Sequence, residues 1–172
     1  MWLTGQIEDE VGIVFFLKPK LIKNNKKSIA DLLFKDVSPE QWDQDHLTKA
    51  NLDYSIDSVR LVNEYAERIL QTEFGQQLLK EHSEKLITRI GAYLGEVIKN
   101  HKDGHYRWFE FNSVKANTIH LNEYEQSVKD ESVLYSKKLD HALCPIYEVK
   151  QYFDGKPNYN HFLAYVEQAI KN

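Results

Sequence analysis

Apolar positions fall into blocks whose spacing changes along the chain, and that change predicts the order of elements. Val11 to Leu17 (VGIVFFL) is an unbroken apolar run, rich in β-branched and aromatic types and closed by Pro19. That pattern predicts a buried strand. Ser28 to Phe34 predicts a short helix capped by Ser28, with Ile29, Leu32 and Leu33 on one side. In Ser38-Pro39-Glu40-Gln41-Trp42 a capping serine, a proline at the first helical position and an early acid predict another helix start. The strongest signal runs from Leu52 to His101. Val59, Val62, Ala66, Ile69 and Leu70 recur at three- and four-residue steps, with Arg60, Glu64, Glu67 and Arg68 between them. Asp53 or Ser55 is the expected cap and Gly75 the expected end. A second helix follows, its stripe formed by Leu79, Leu86, Ile90, Leu94, Val97 and Ile98. Two such helices with a short connection are expected to lie antiparallel.

After Asp103-Gly104 the spacing turns extended. Tyr106 to Phe111 (YRWFEF) and Lys115 to Leu121 (KANTIHL) predict strands around a turn at Asn112 and Ser113, and Ser132 to Leu139 a third. Pro145 opens a helix that Asp154-Gly155 ends at Phe153, and Asn158 to Ile170 predicts the last, with Phe162, Val166, Ala169 and Ile170 on one side. The sum is an α+β fold: two long antiparallel amphipathic helices packed with a small antiparallel sheet and C-terminal helices. No composition break or repeat divides residues 1–172, so one domain is expected.

Composition narrows the function classes. Cys144 is the one cysteine, so no internal disulfide forms, which points to a reducing cytoplasm. The first residues carry Glu8, Asp9 and Glu10 and do not read as a signal peptide. No apolar run approaches the roughly 20 residues that a bilayer requires, so no membrane partner is expected. The formal charge is −4, spread unevenly: residues 28–57 hold two lysines against seven acids, whereas 1–27 hold five lysines against three. An acidic chain of this kind is not expected to bind nucleic acid. Lys18 to Lys27 is read as a solvated loop.

Leu52-Asp53-Tyr54-Ser55, Ser58-Val59, Gly91-Ala92-Tyr93-Leu94-Gly95-Glu96 and Trp108 together resemble a family of small bacterial proteins of uncharacterised function. Cys144-Pro145-Ile146-Tyr147, Val149 and Phe153-Asp154-Gly155 extend the resemblance, which covers about residues 50–170 and leaves the first fifty unmatched. Some proteins of similar organisation look like immunity proteins, which neutralise a bacterial toxin by binding it. The resemblance therefore implies a protein partner and names no catalytic group.

The residues themselves offer few chemical centres. Gly91 and Gly95, four apart, ask for close approach of another backbone, because glycine costs about 1 kcal/mol within a helix. Glu96, next to Gly95, faces either solvent or a cleft. His101 and His105 have a zinc-like spacing but no third ligand nearby, so no metal is expected. Tyr106, Arg107 and Trp108 read as sheet core and rim. Phosphate-loop, dinucleotide, G-x-S-x-G, H-E-x-x-H and paired-Cys patterns are missing, and no cofactor is expected. Cys144, as N-cap of the Pro145 helix, with His141 three residues earlier, is the alternative catalytic pair. Trp42 among Glu40, Asp43 and Asp45 reads as a partner-binding patch for a basic protein such as a toxin domain. On that reading, reversing Asp43 and Asp45 to Lys slows association at low salt.

Overall fold

The computed structural model describes residues 17–121 and 132–172. Ten elements follow one another: α1 (Lys27–Lys35), α2 (Gln41–His46), α3 (Ser58–Gln71), α4 (Glu73–His101), β1 (Arg107–Glu110), α5 (Phe111–Lys115), β2 (Ser132–Ser136), β3 (His141–Leu143), α6 (Pro145–Phe153) and α7 (Phe162–Lys171). The class is α+β, as the spacing predicts. The expected Val11–Leu17 strand lies outside the described residues except for Leu17, which is exposed and irregular.

α4 is the axis of the molecule. Every residue from Ile90 to Ile98 is buried, which an amphipathic stripe alone does not achieve. α1, α3, α6 and α7 all pack on α4, so its second half is covered on every side. Two glycines permit this closeness. A Cβ on Gly91 would stand 2.5 Å from the Cα of Ile146 in α6, and one on Gly95 would stand 2.2 Å from the Trp108 indole. α3 and α4 run antiparallel: Ser58, opening α3, touches Tyr93 late in α4, while Ile69, near the end of α3, touches Gly75.

The boundary between these helices differs from expectation. Gly75 does not end α3; it lies in the first turn of α4, where Thr72 Oγ1 accepts its N–H at 3.0 Å. A Cβ there would meet the Ile69 backbone at 2.3 Å, so this glycine answers a packing demand. α4 is also bent, with non-helical angles at His82 (φ −137°, ψ 28°).

The sheet is antiparallel in the order β1-β2-β3, with Trp108 opposite Leu134 and Phe109 opposite Val133. Alternation sends Trp108 and Leu134 into the helical core, and Phe109, Val133 and Tyr135 into a smaller core on the other face. Ile22 to Asn24 cover the outer edge of β1: Glu110 N–H donates to Ile22 O and Asn24 N–H to Trp108 O, both at 2.9 Å. The expected strand at Lys115–Leu121 is not formed. Residues 116–121 form turns and irregular backbone, and the expected turn at Asn112 and Ser113 lies within helical Phe111–Lys115, because Phe111 and Val114, three apart, both enter the smaller core.

Candidate functional site

Tyr54, Ser58 and Tyr93 meet where the 52–58 segment packs on α4. Tyr54 holds a left-handed backbone (φ 64°), which a tyrosine adopts only when its surroundings enforce it. Its N–H donates to Tyr93 Oη at 3.0 Å, its ring stacks on Tyr93 at 4.6 Å, and its hydroxyl donates to Asp31 Oδ1 at 2.7 Å. The Lys27 ammonium lies 3.0 Å from the ring centroid. Tyr93 Oη also pairs with Ser58 Oγ at 2.7 Å. Burial, reinforced by the bond to Asp31, pushes the Tyr54 hydroxyl far above the usual phenol range. The Lys35 ammonium, and then the Tyr54 hydroxyl, hold the Asp31 carboxyl below its ordinary value. Burial lowers Lys27, and Asp31 opposes that shift.

Three residues further along this helix, Glu96 is 2 % exposed. Its Oε1 accepts from Trp108 Nε1 at 2.8 Å, and the Lys99 ammonium stands 2.8 Å from the carboxylate. This is how a buried carboxylate is tolerated: one charged partner, one strong donor, and an indole laid over Gly95. Glu96 thus faces neither solvent nor the Cys144 cavity. Together these groups fasten the 52–56 loop and β1 onto α4.

The aromatic–acid patch on α2 is rearranged relative to expectation. Trp42 is half-buried, stacked between His46 (4.4 Å) and Tyr65 (6.5 Å), with the Arg68 guanidinium 4.7 Å from its ring. Asp43 is a correction: it is turned inward and only 5 % exposed, so it is withdrawn from the surface. Ser38 Oγ donates to its carboxylate at 2.7 Å, and Arg68 balances its charge from α3. Burial still raises its pKa, against the pull of Ser38 and Arg68. Ser38 therefore serves Asp43 and the Glu40 N–H, and the helix begins at Gln41. Glu40 and Asp45 stay exposed, as do Asp36, Asp53 and Asp57. Five of the seven acids in residues 28–57 are thus on the surface.

Cys144 and His141 line a cavity of about 190 Å³ among β3, α6 and α7, with Glu148, Tyr159 and Tyr165 also in its wall. Cys144 is the N-cap of α6, as expected, but is 4 % exposed and packed with Phe109 and Val133. His141 Nδ1 pairs with Tyr106 Oη at 2.7 Å, and burial lowers its pKa, with Lys102 adding to the shift. Burial raises Glu148, against a 3.0 Å bond from Asn158. His101 Nδ1 pairs with the Val97 carbonyl at 2.8 Å. Among the described residues no three His, Cys, Asp or Glu side chains gather as metal ligands, and no helix is long and apolar enough to cross a membrane.

No family model, curated protein or solved structure matches this chain. Several participants escape sequence reasoning. Lys27 and Asp31 read as ordinary helix-surface residues, yet they clamp Tyr54 across a separation of more than twenty positions. Arg89 and Asp36, fifty-three positions apart, pair across the gap between α4 and the end of α1. Tyr54 lies within a noted motif, but nothing in its neighbours signals a left-handed backbone.

Proposed function

We propose that this chain is a non-catalytic binding protein of the immunity type, occluding a basic protein partner such as a toxin domain. One observation carries the reading. The 36–57 stretch displays Asp36, Glu40, Asp45, Asp53 and Asp57 to solvent while Leu47 and Leu52 are buried and Tyr54 is locked to Tyr93. The carboxylates are therefore offered from a held backbone, which limits the ordering cost of association. Such a field steers a basic partner and speeds encounter. The resemblance to small bacterial proteins, some of them immunity-like, supplies the class of partner. Trp42 takes no central role, since its ring is spent on Tyr65 and Arg68.

The test is capture of partners from the cells that make the protein, comparing wild type with a Glu40→Lys/Asp45→Lys variant. The proposal expects a basic protein held at fixed stoichiometry by wild type and lost or strongly depleted with the variant. Equal recovery by both, or no stoichiometric basic protein, contradicts it.

A second reading has its own observation: Cys144 and His141 border one cavity with Glu148. If this pair were a nucleophile and base, the native thiol would react with alkylating agents with an apparent pKa below the ordinary thiol value of about 8.5. Reaction that waits for unfolding removes it.

A further inference from the structure

A cavity of about 340 Å³ lies between α1, the 36–39 loop and the bent middle of α4, remote from the sheet. Its floor is apolar: Leu33, Leu47 and Leu86 are almost fully buried there. One wall is Tyr65, 8 % exposed, whose hydroxyl makes no hydrogen bond with any described residue. Its oxygen is not sealed in, so it can meet a partner from outside the chain. Tyr65 and Arg89 line the same cavity.

We propose that this cavity binds a small amphipathic carboxylate, its carboxyl group meeting Tyr65 and Arg89 and its apolar body lying on the leucines. Arg89 commits two N–H groups to Asp36, one to the backbone carbonyl at 3.3 Å and one to the carboxylate. A guanidinium has five such donors, so three more are available for a second acceptor. The charged groups around the opening are Asp36, Lys85 and Arg89, with His82 beside them next to Glu81. Lys85 is exposed and in no ion pair among the described residues, so the rim carries one more cation than anion. That balance favours an anion and disfavours an amine. The volume sets the size: at about 30 Å³ per water-sized unit, it holds roughly ten non-hydrogen atoms. Cavities of this size and lining are ordinary small-molecule sites.

The experiment titrates the whole chain with octanoate, 1-octanol and octylamine, following backbone amide signals by NMR. The expected result is saturable one-to-one octanoate binding, with shifts centred on Tyr65 and on Leu78 to Arg89. 1-Octanol binds about tenfold more weakly, for want of a charge-assisted bond, and octylamine does not bind. Tyr65→Phe keeps the ring against Trp42 and weakens octanoate about five- to tenfold, the worth of one hydrogen bond. Lys85→Gln, at an exposed position, weakens octanoate about twofold and leaves 1-octanol unchanged. Octanoate that fails to saturate, shifts elsewhere on the molecule, 1-octanol binding as tightly as octanoate, or unchanged affinity in Tyr65→Phe each overturns the proposal.

Discussion

Glu96 and Trp108 set out the problem at the scale of a residue: a carboxylate in the helical core is stable only while its partners stay. Trp108→Phe deletes the N–H that Glu96 accepts, together with outer indole atoms that lie over Gly95. A buried acceptor deprived of its donor costs about 1–3 kcal/mol. Denaturant unfolding is expected to register that loss, and Glu96→Gln with Trp108 intact, which keeps an acceptor oxygen, is expected to cost less. His141 gives a pH prediction. Burial and Lys102 depress its folded pKa below the ordinary 6.5, so the unfolded chain takes up its proton first as pH falls. Its contribution is present above about 6.5 and is lost as pH drops through the folded value. Melting temperature is expected to decline from pH 7.5 to 5.5, and His141→Gln to flatten part of that slope. A slope identical in the variant contradicts the assignment.

Among the elements, the close approaches on α4 make the sharpest claim. Gly91→Ala places a methyl against the Ile146 backbone, which cannot step aside as a side-chain tip can. The expected cost is about 2 kcal/mol or more, read as a lowered denaturant midpoint with unchanged slope. Much of this level was legible in the chain. The proline and the Asp-Gly pair bracket α6 at its observed ends, and of the two glycines four apart Gly91 meets a backbone as expected, whereas Gly95 meets the Trp108 side chain. Elsewhere tertiary demands overrode local pattern. Phe111 to Lys115 is helical where a turn was expected, because Phe111 and Val114 share a small core, and KANTIHL beyond it forms turns although its alternation suggests a strand. α7 begins at Phe162 rather than Asn158, because His161 caps it and Asn63 of α3 accepts the Phe162 N–H at 2.8 Å. β3 is three residues long, too short for any periodicity to show. The candidate patch was half legible for the same reason: composition marked the acids, but only tertiary packing decides that Asp43 turns inward to Ser38 while Asp45 faces out.

At the scale of the whole molecule, a protein of formal charge −4 concentrates its negative charge in residues 28–57. Neutralising that stretch should alter encounter far more than stability, because its exposed acids make only surface contacts: Asp36 with Arg89, Asp57 with Arg60, Asp45 with the Gln41 amide and Asp53 with the Ser55 N–H. A Glu40→Lys/Asp45→Lys variant is therefore expected to melt within a few degrees of wild type. Asp43→Lys is expected to unfold the α2 region, since it would set a cation beside Arg68 at a buried position. The same contrast separates a binding surface from a structural one.

The most direct measurement is the association rate constant between the chain and its captured partner, taken at low and at physiological salt. The account predicts a wild-type rate that falls steeply as salt is added, and a Glu40→Lys/Asp45→Lys rate at least about tenfold slower at low salt. Rates that match between the two proteins and ignore salt would contradict it.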